Sequence, residues 1–285
     1  MNDVEILKKI EKKVLWLACW MIHNANHIRE NQDGLKVGGH QASSASIVSI
    51  MTALYFSILR PEDRVAVKPH ASPVFHAIQY LLGNQDVNNL KNFRKLNGAQ
   101  AYPSKTKDFC DVDFSTGSVG LGGVMTIFSS FTQDFLNENN LLENTPSKMI
   151  SIFGDAELDE GNVYEALLEG AKHNLKNCWW IIDYNRQSLD GIVFEKLFEK
   201  IINLFELMDW NVEILKYGSK LQKLKQSKSG KKILKWIDDC PNDLFSALTY
   251  QGGKYWRKTL LEYFDNDKNT LNLIQSFNDK ELNDL

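Results

Sequence analysis

Long apolar runs are missing from this 285-residue chain. No stretch approaches the roughly 18 uninterrupted apolar residues of a membrane span, and the N-terminus, MNDVEILKKIEKKV, is charged where a secretory signal would be apolar. A cytoplasmic protein with no membrane partner is expected. Cysteine is scarce: Cys19, Cys110, Cys178 and Cys240 are too scattered for a zinc knuckle or a paired redox motif, and reduced, structural thiols are expected. With 6 prolines, the chain shows no Pro/Gly-rich linker, no low-complexity tract and no repeat. The formal net charge of −3 leaves no global pull toward nucleic acid. What the chain does have is 43% hydrophobic residues, enough for the core of one large domain. The expectation is a single domain over 1–285, with its core from about 30 to 215 and a helical extension over 216–285. The one strong local charge bias, KYGSKLQKLKQSKSGKKILK, has no interleaved aromatics to stack nucleic-acid bases and no nearby acids. It is expected to be a solvated helical surface rather than a docking patch.

The patterning is that of an α/β protein. Ile6, Ile10, Val14, Leu17 and Met21 predict a first helix, residues 44–59 a second, RVAVK a strand at 64–68, and residues 70–82 a helix opened by Ser72-Pro73. A short helix near 87–95 precedes NGAQAYPSKTKDFCDVDFSTGSVGLGG, a stretch whose length implies a functional loop. A helix over 121–137 follows. MISIF then reads as a buried strand, Glu157 onward as a helix with Val163, Leu167, Ala171 and Leu175 on one face, and CWWIID as the next strand. Beyond these, FEKLFEKIINLFELM predicts an amphipathic helix, VEILK a last strand, and the remainder helices. Alternating strands and helices imply a three-layer parallel sheet with helices on both faces.

Strand–helix–strand units of this kind place ligands outside the carboxyl ends of the strands. Asp155 follows the first strand and Asn185, thirty residues later, follows the second. Either alone reads more readily as a cap or a turn. At matching strand ends the two can share one hard cation through oxygen, the remaining positions being left to water and phosphates. Four other segments put unusual chemistry at junctions: GGHQASS with His40 and Ser43, KPHASP with His70, QAYPSKTKD with Tyr102, and FSTGSVGLGG, whose glycines admit a ligand close to the backbone. His23, His27, His76 and His173 are expected to be ordinary core or surface histidines.

GDAELDEGN followed by WWIIDYNRQSLDG resembles the thiamine-diphosphate motif, GDG with a spacer and then Asn. With GGHQAS, PHASP, NFRKLNGAQAYPS and STGSVGLG in the same order, residues from about 5 onward resemble the diphosphate-binding domain of the homodimeric pyruvate dehydrogenase decarboxylating component, in the transketolase superfamily. The resemblance implies a thiamine-diphosphate-binding fold and Mg²⁺ held by the side chains of Asp155 and Asn185 and the backbone carbonyl of Gln187. It also implies cofactor contacts from His40, Ser43, Tyr102, Val119, Gly120, Asp155, Ala156, Glu157 and Asn185, and catalytic roles for His40 and His70. Ala156 stands where the motif has Gly, Lys68 where close relatives carry Gln, and YPS where they carry YPHP.

In this superfamily a second domain, generally from the other subunit, holds the pyrimidine end of the cofactor and supplies the activating glutamate. The implied function is therefore the diphosphate- and Mg²⁺-binding half of a thiamine-diphosphate-dependent 2-oxo acid dehydrogenase. It would need a pyrimidine-binding partner in cis or trans and work as a homo- or hetero-oligomer. The alternatives are the N-terminal half of a transketolase-type ketol transferase and a non-catalytic stranded or regulatory module.

Overall fold

The computed structural model describes the chain except residues 1–2, 32–33, 143–146, 186, 189–190, 193–196 and 284–285, together with the side chains of 187, 188, 191 and 192. Contacts divide it into two compact units, Met1–Asn185 and Arg186–Leu285. The sequence-based boundary was set later, between 215 and 216.

The first unit is built around β2 (Met149–Gly154), which pairs in parallel with β1 (Arg64–Ala66) on one side and β3 (Cys178–Asp183) on the other. β2 is buried along nearly its whole length because it is central and covered on both faces. Its side chains alternate. Ile150 and Ile152 join the cluster formed with α1 (Asp3–His23), α2 (Gln41–Ala53) and α3 (Ser72–Leu81). Ser151 and Phe153 face α5 (Leu121–Glu138). The three layers expected from the sequence are thus present. Close approach of α5 depends on Gly123, where a Cβ would lie 2.4 Å from the Phe153 ring.

α2 continues as a π-helical turn, Leu54–Ile58. The combined segment Gln41–Ile58 is long and apolar enough by composition to cross a membrane. Its residues Ile47, Val48, Met51 and Leu54 are instead buried in the cluster with α1 and α3. A short α4 (Val87–Lys91) is capped by Asp86, whose carboxylate accepts the Asn88 amide. From there to α5 the chain is irregular, as expected of the long loop.

Between β2 and α6 (Gly161–Lys172) lies a separate 3-10 turn, Asp155–Asp159. The sequence reading ran one helix from Glu157 and explained its acids by the helix dipole. The structure corrects this: Glu157 precedes α6 and is buried, with its carboxylate occupied by backbone amides described below. His76 is fully buried, its Nε2 3.0 Å from the Gln100 carbonyl, which is the satisfied core histidine expected. All four cysteines are free thiols.

The second unit opens with the two-residue strands β4 (Gln187–Ser188) and β5 (Gly191–Ile192), paired antiparallel. It continues through α7 (Leu197–Leu207), α8 (Ser219–Leu224), α9 (Lys228–Asp239), α10 (Asn242–Gln251), α11 (Gly253–Tyr263), α12 (Lys268–Ser276) and α13 (Asp279–Asn283). Ile233, Trp236, Leu248, Leu260, Phe264 and Ile274 form its core. VEILK, expected as a strand, is not one: a strand exists through its ladder, and residues 212–216 form none. The lysine run does have acids to meet, supplied from outside the run. Lys216 pairs with Asp238 at 2.7 Å, Lys235 with Asp239 at 2.6 Å, and Lys232 with Asp267.

Candidate functional site

In the β2–β3 ladder Gly154 pairs with Asp183, so the two chains leave the sheet side by side, one as Asp155 and the other as Tyr184-Asn185. Asp155 is 2% exposed. Its Oδ1 accepts the Ala156 amide at 3.1 Å, which fixes the carboxylate's orientation, while its Oδ2 has no partner among the described residues. Burial pushes this carboxyl up to about 6, and the neighbouring Asp183 acts in the same direction. A buried carboxylate oxygen left open at a strand end, with an Asn at the next, is an oxygen donor set suited to a hard cation. Among the described residues no three His, Cys, Asp or Glu side chains gather as a metal cluster. Such a cation would therefore draw on amide, backbone and ligand oxygens.

The Gly-rich loop is fastened to this edge by Glu157. Its Oε1 accepts the Gly154 amide at 3.0 Å and its Oε2 the Gly120 amide at 3.1 Å. Gly120 has φ +77°, and a Cβ there would sit 2.7 Å from Asn162 Oδ1. That left-handed turn starts α5 and exposes Gly117 and Ser118 beside half-buried Val119. Asn162 Oδ1 is itself buried and has no partner among the described residues.

A second group of side chains lies after β1. The 3-10 turn Pro69–Ala71 carries His70, whose ring stands 4.3 Å from His40 and 6.0 Å from Tyr102, centroid to centroid. Burial lowers the His70 pKa to about 4, helped by the charges of His40, Arg94 and Lys68. The imidazole is therefore neutral at neutral pH, and its buried Nδ1 has no partner among the described residues. Arg94 stands 6.0 Å over the Tyr102 ring and donates to the Val37 carbonyl at 2.7 Å, which ties the GGH segment to the far side of the loop.

The structure thus brings together Asp155, Asn185, Glu157 and Gly120 at one edge, and His40, His70 and Tyr102 in another cluster. Ser43 is half-buried in the first turn of α2, and Ala156 serves Asp155 through its amide. Gln187 belongs to the second unit, in β4. Sequence reasoning missed Asp183 and Ser46, and noted Lys68 only as a departure from its relatives. Lys68 Nζ lies 2.8 Å from Asp183 Oδ2, and Ser46 Oγ donates to the same oxygen at 2.5 Å. A signal was available: Asp183 closes the CWWIID run, two residues before Asn185 at the same strand end.

Residues 38–234 match the family described as transketolase, thiamine diphosphate binding domain. The chain belongs to this family. Over 99% of its length this thiamine-diphosphate-binding domain is 24% identical to the pyruvate dehydrogenase E1 component of Escherichia coli (strain K12), and it covers 32% of that protein. The corresponding protein of Buchnera aphidicola subsp. Schizaphis graminum is 27% identical over 99% of the chain, again with 32% of the relative covered. The chain therefore spans about a third of the length of the relatives it matches. Among solved structures, transketolase from Campylobacter jejuni superposes with a TM-score of 0.61 at 26% identity, covering 73% of this chain and 32% of that one. Transketolase from Leishmania mexicana gives 0.61 at 17% identity, over 83% of this chain and 35% of that one, a likeness of fold.

Proposed function

We propose that this chain is the diphosphate- and Mg²⁺-binding half of a cytoplasmic thiamine-diphosphate-dependent enzyme that decarboxylates a 2-oxo acid of pyruvate type. In this reading a pyrimidine-binding domain, in cis or in trans, completes the site in a homo- or hetero-oligomer. The observation that carries it is the buried, unpartnered Oδ2 of Asp155 at the end of β2, beside the strand that delivers Asn185. These two side chains would hold the cation. The turn at Val119-Gly120 would admit the diphosphate, with Glu157 acting indirectly by holding that turn in place. His40, Ser43 and Tyr102 would border the cofactor. When bound, thiamine diphosphate supplies the nucleophile and electron sink that cleavage beside a carbonyl requires.

The protein's own part would be to orient, to exclude water and to place a proton. His70, neutral at pH 7, can accept or return one at its free Nδ1 beside His40. The similarity to pyruvate dehydrogenase E1 components along the whole chain favours the 2-oxo acid over ketol transfer.

Titration calorimetry with thiamine diphosphate and Mg²⁺, with and without a recombinant pyrimidine-binding half, tests this. Binding that needs Mg²⁺ and vanishes in Asp155→Ala is expected. Absence of binding in both arrangements refutes the cofactor reading, and unchanged affinity in Asp155→Ala refutes the metal assignment.

A further inference from the structure

The β1–β2–β3 order gives the Lys68–Asp183 pair an unusual position. Lys68 follows β1 and Asp183 ends β3, so their contact reaches from one outer strand to the other, across the carboxyl end of β2 where Asp155 begins. Both side chains are buried, at 3% and 8% exposure. A buried ion pair is seldom a device for stability, since the desolvation of both charges offsets most of their attraction. An ammonium carries three donors, and among the described residues Lys68 gives one, to Asp183 Oδ2. The other two have no protein acceptor among the described residues. Lys68 is also the cation whose field reaches Asp155, Glu157 and His70 together, so it sits where the two clusters meet. Asp155, Glu157 and Asp183 would otherwise repel an incoming anion.

We propose that Lys68 is a direct ligand of the cofactor's diphosphate, its ammonium held in place by Asp183 and giving its two remaining donors to phosphate oxygens. This deepens the function proposed above and rests on it. A lysine ammonium binds phosphate as a point charge and needs no metal to do so. The chain should therefore keep a metal-independent affinity for the diphosphate group alone.

The test is calorimetric titration of the full chain with inorganic pyrophosphate in EDTA, and with thiamine diphosphate in Mg²⁺. The deciding variant is Lys68→Gln/Asp183→Asn, which replaces the ion pair by a hydrogen-bonded amide pair of similar shape and leaves the net charge unchanged. A role through long-range charge alone predicts no effect. The contact predicts that wild type binds millimolar pyrophosphate in EDTA and that the double variant binds it about tenfold more weakly or worse, the worth of a charged hydrogen bond. Asp183→Asn alone frees the ammonium and should tighten pyrophosphate binding severalfold. If the double variant fails to fold, this arm keeps the assignment refutable, since a held ammonium cannot be freed without tightening.

Wild-type affinity in the double variant, no tightening in Asp183→Asn, or no pyrophosphate binding by wild type in EDTA would each overturn the assignment. In all three cases metal-dependent binding of thiamine diphosphate by wild type would leave the broader function standing. If wild type fails to bind thiamine diphosphate even with Mg²⁺, both readings fall.

Discussion

Glu157 offers the sharpest test of how the site is built. One carboxylate joins the end of β2, through the Gly154 amide, to the turn that starts α5, through the Gly120 amide. In Glu157→Ala both amides lose a charged acceptor at a position that is 8% exposed. Two hydrogen bonds to a charged group are worth about 1.5–3 kcal/mol each, and burial of the carboxylate, which raises its pKa, takes back part of that. A loss of about 2–4 kcal/mol is expected for Ala. Glu157→Gln keeps one acceptor and turns an NH₂ toward the other amide, so about 1–2 kcal/mol is expected. Chemical denaturation gives the totals. Amide hydrogen exchange tests the cause, because protection should fall first at Gly120 and Gly154 while the centre of β2 is spared. A stability within about 0.5 kcal/mol of wild type in Glu157→Ala, or unchanged protection at those two amides, refutes the clasp.

Further outcomes follow from the same geometry. Gly123→Ala should destabilise by about 1–3 kcal/mol, because the Phe153 ring must move, although Ala is otherwise favoured by about 1 kcal/mol within a helix. Adding Phe153→Leu should recover part of that loss, and strict additivity in the double-mutant cycle would count against the clash. His70 should titrate by NMR with a midpoint near 4. Its folded pKa lies below the unfolded value of about 6.5, so the unfolded chain binds its proton first and stability falls as pH drops from about 6.5 toward 4. His70→Gln should flatten the stability profile in that window. A midpoint near 6.5 would mean that the ring is not desolvated.

The parts of this molecule legible in the sequence are those fixed by neighbours along the chain. The apolar run MISIF, the four-residue stripe from Val163 to Leu175, and CWWIID announced a strand, a helix and a strand, and with them the matching exits of Asp155 and Asn185. Periodicity also found α2, α3 and α5, and turn chemistry marked the loop that Gly120 begins to close. Local pattern misled where an element depends on something distant. VEILK has the composition of a strand but no ladder, and Glu157, which looks like a helix-start acid, is occupied by an amide from residue 120.

By itself, then, the sequence determined an α/β layering, the strand–helix–strand unit and the matching strand-end positions of Asp155 and Asn185, because residue spacing carries that information within one or two turns or strands. Only the tertiary structure decided that Lys68 meets Asp183, 115 residues away, across the end of β2. The strand order places those two ends on either side of a third, and neither burial nor charge pairing across a sheet is written in the spacing along one chain segment.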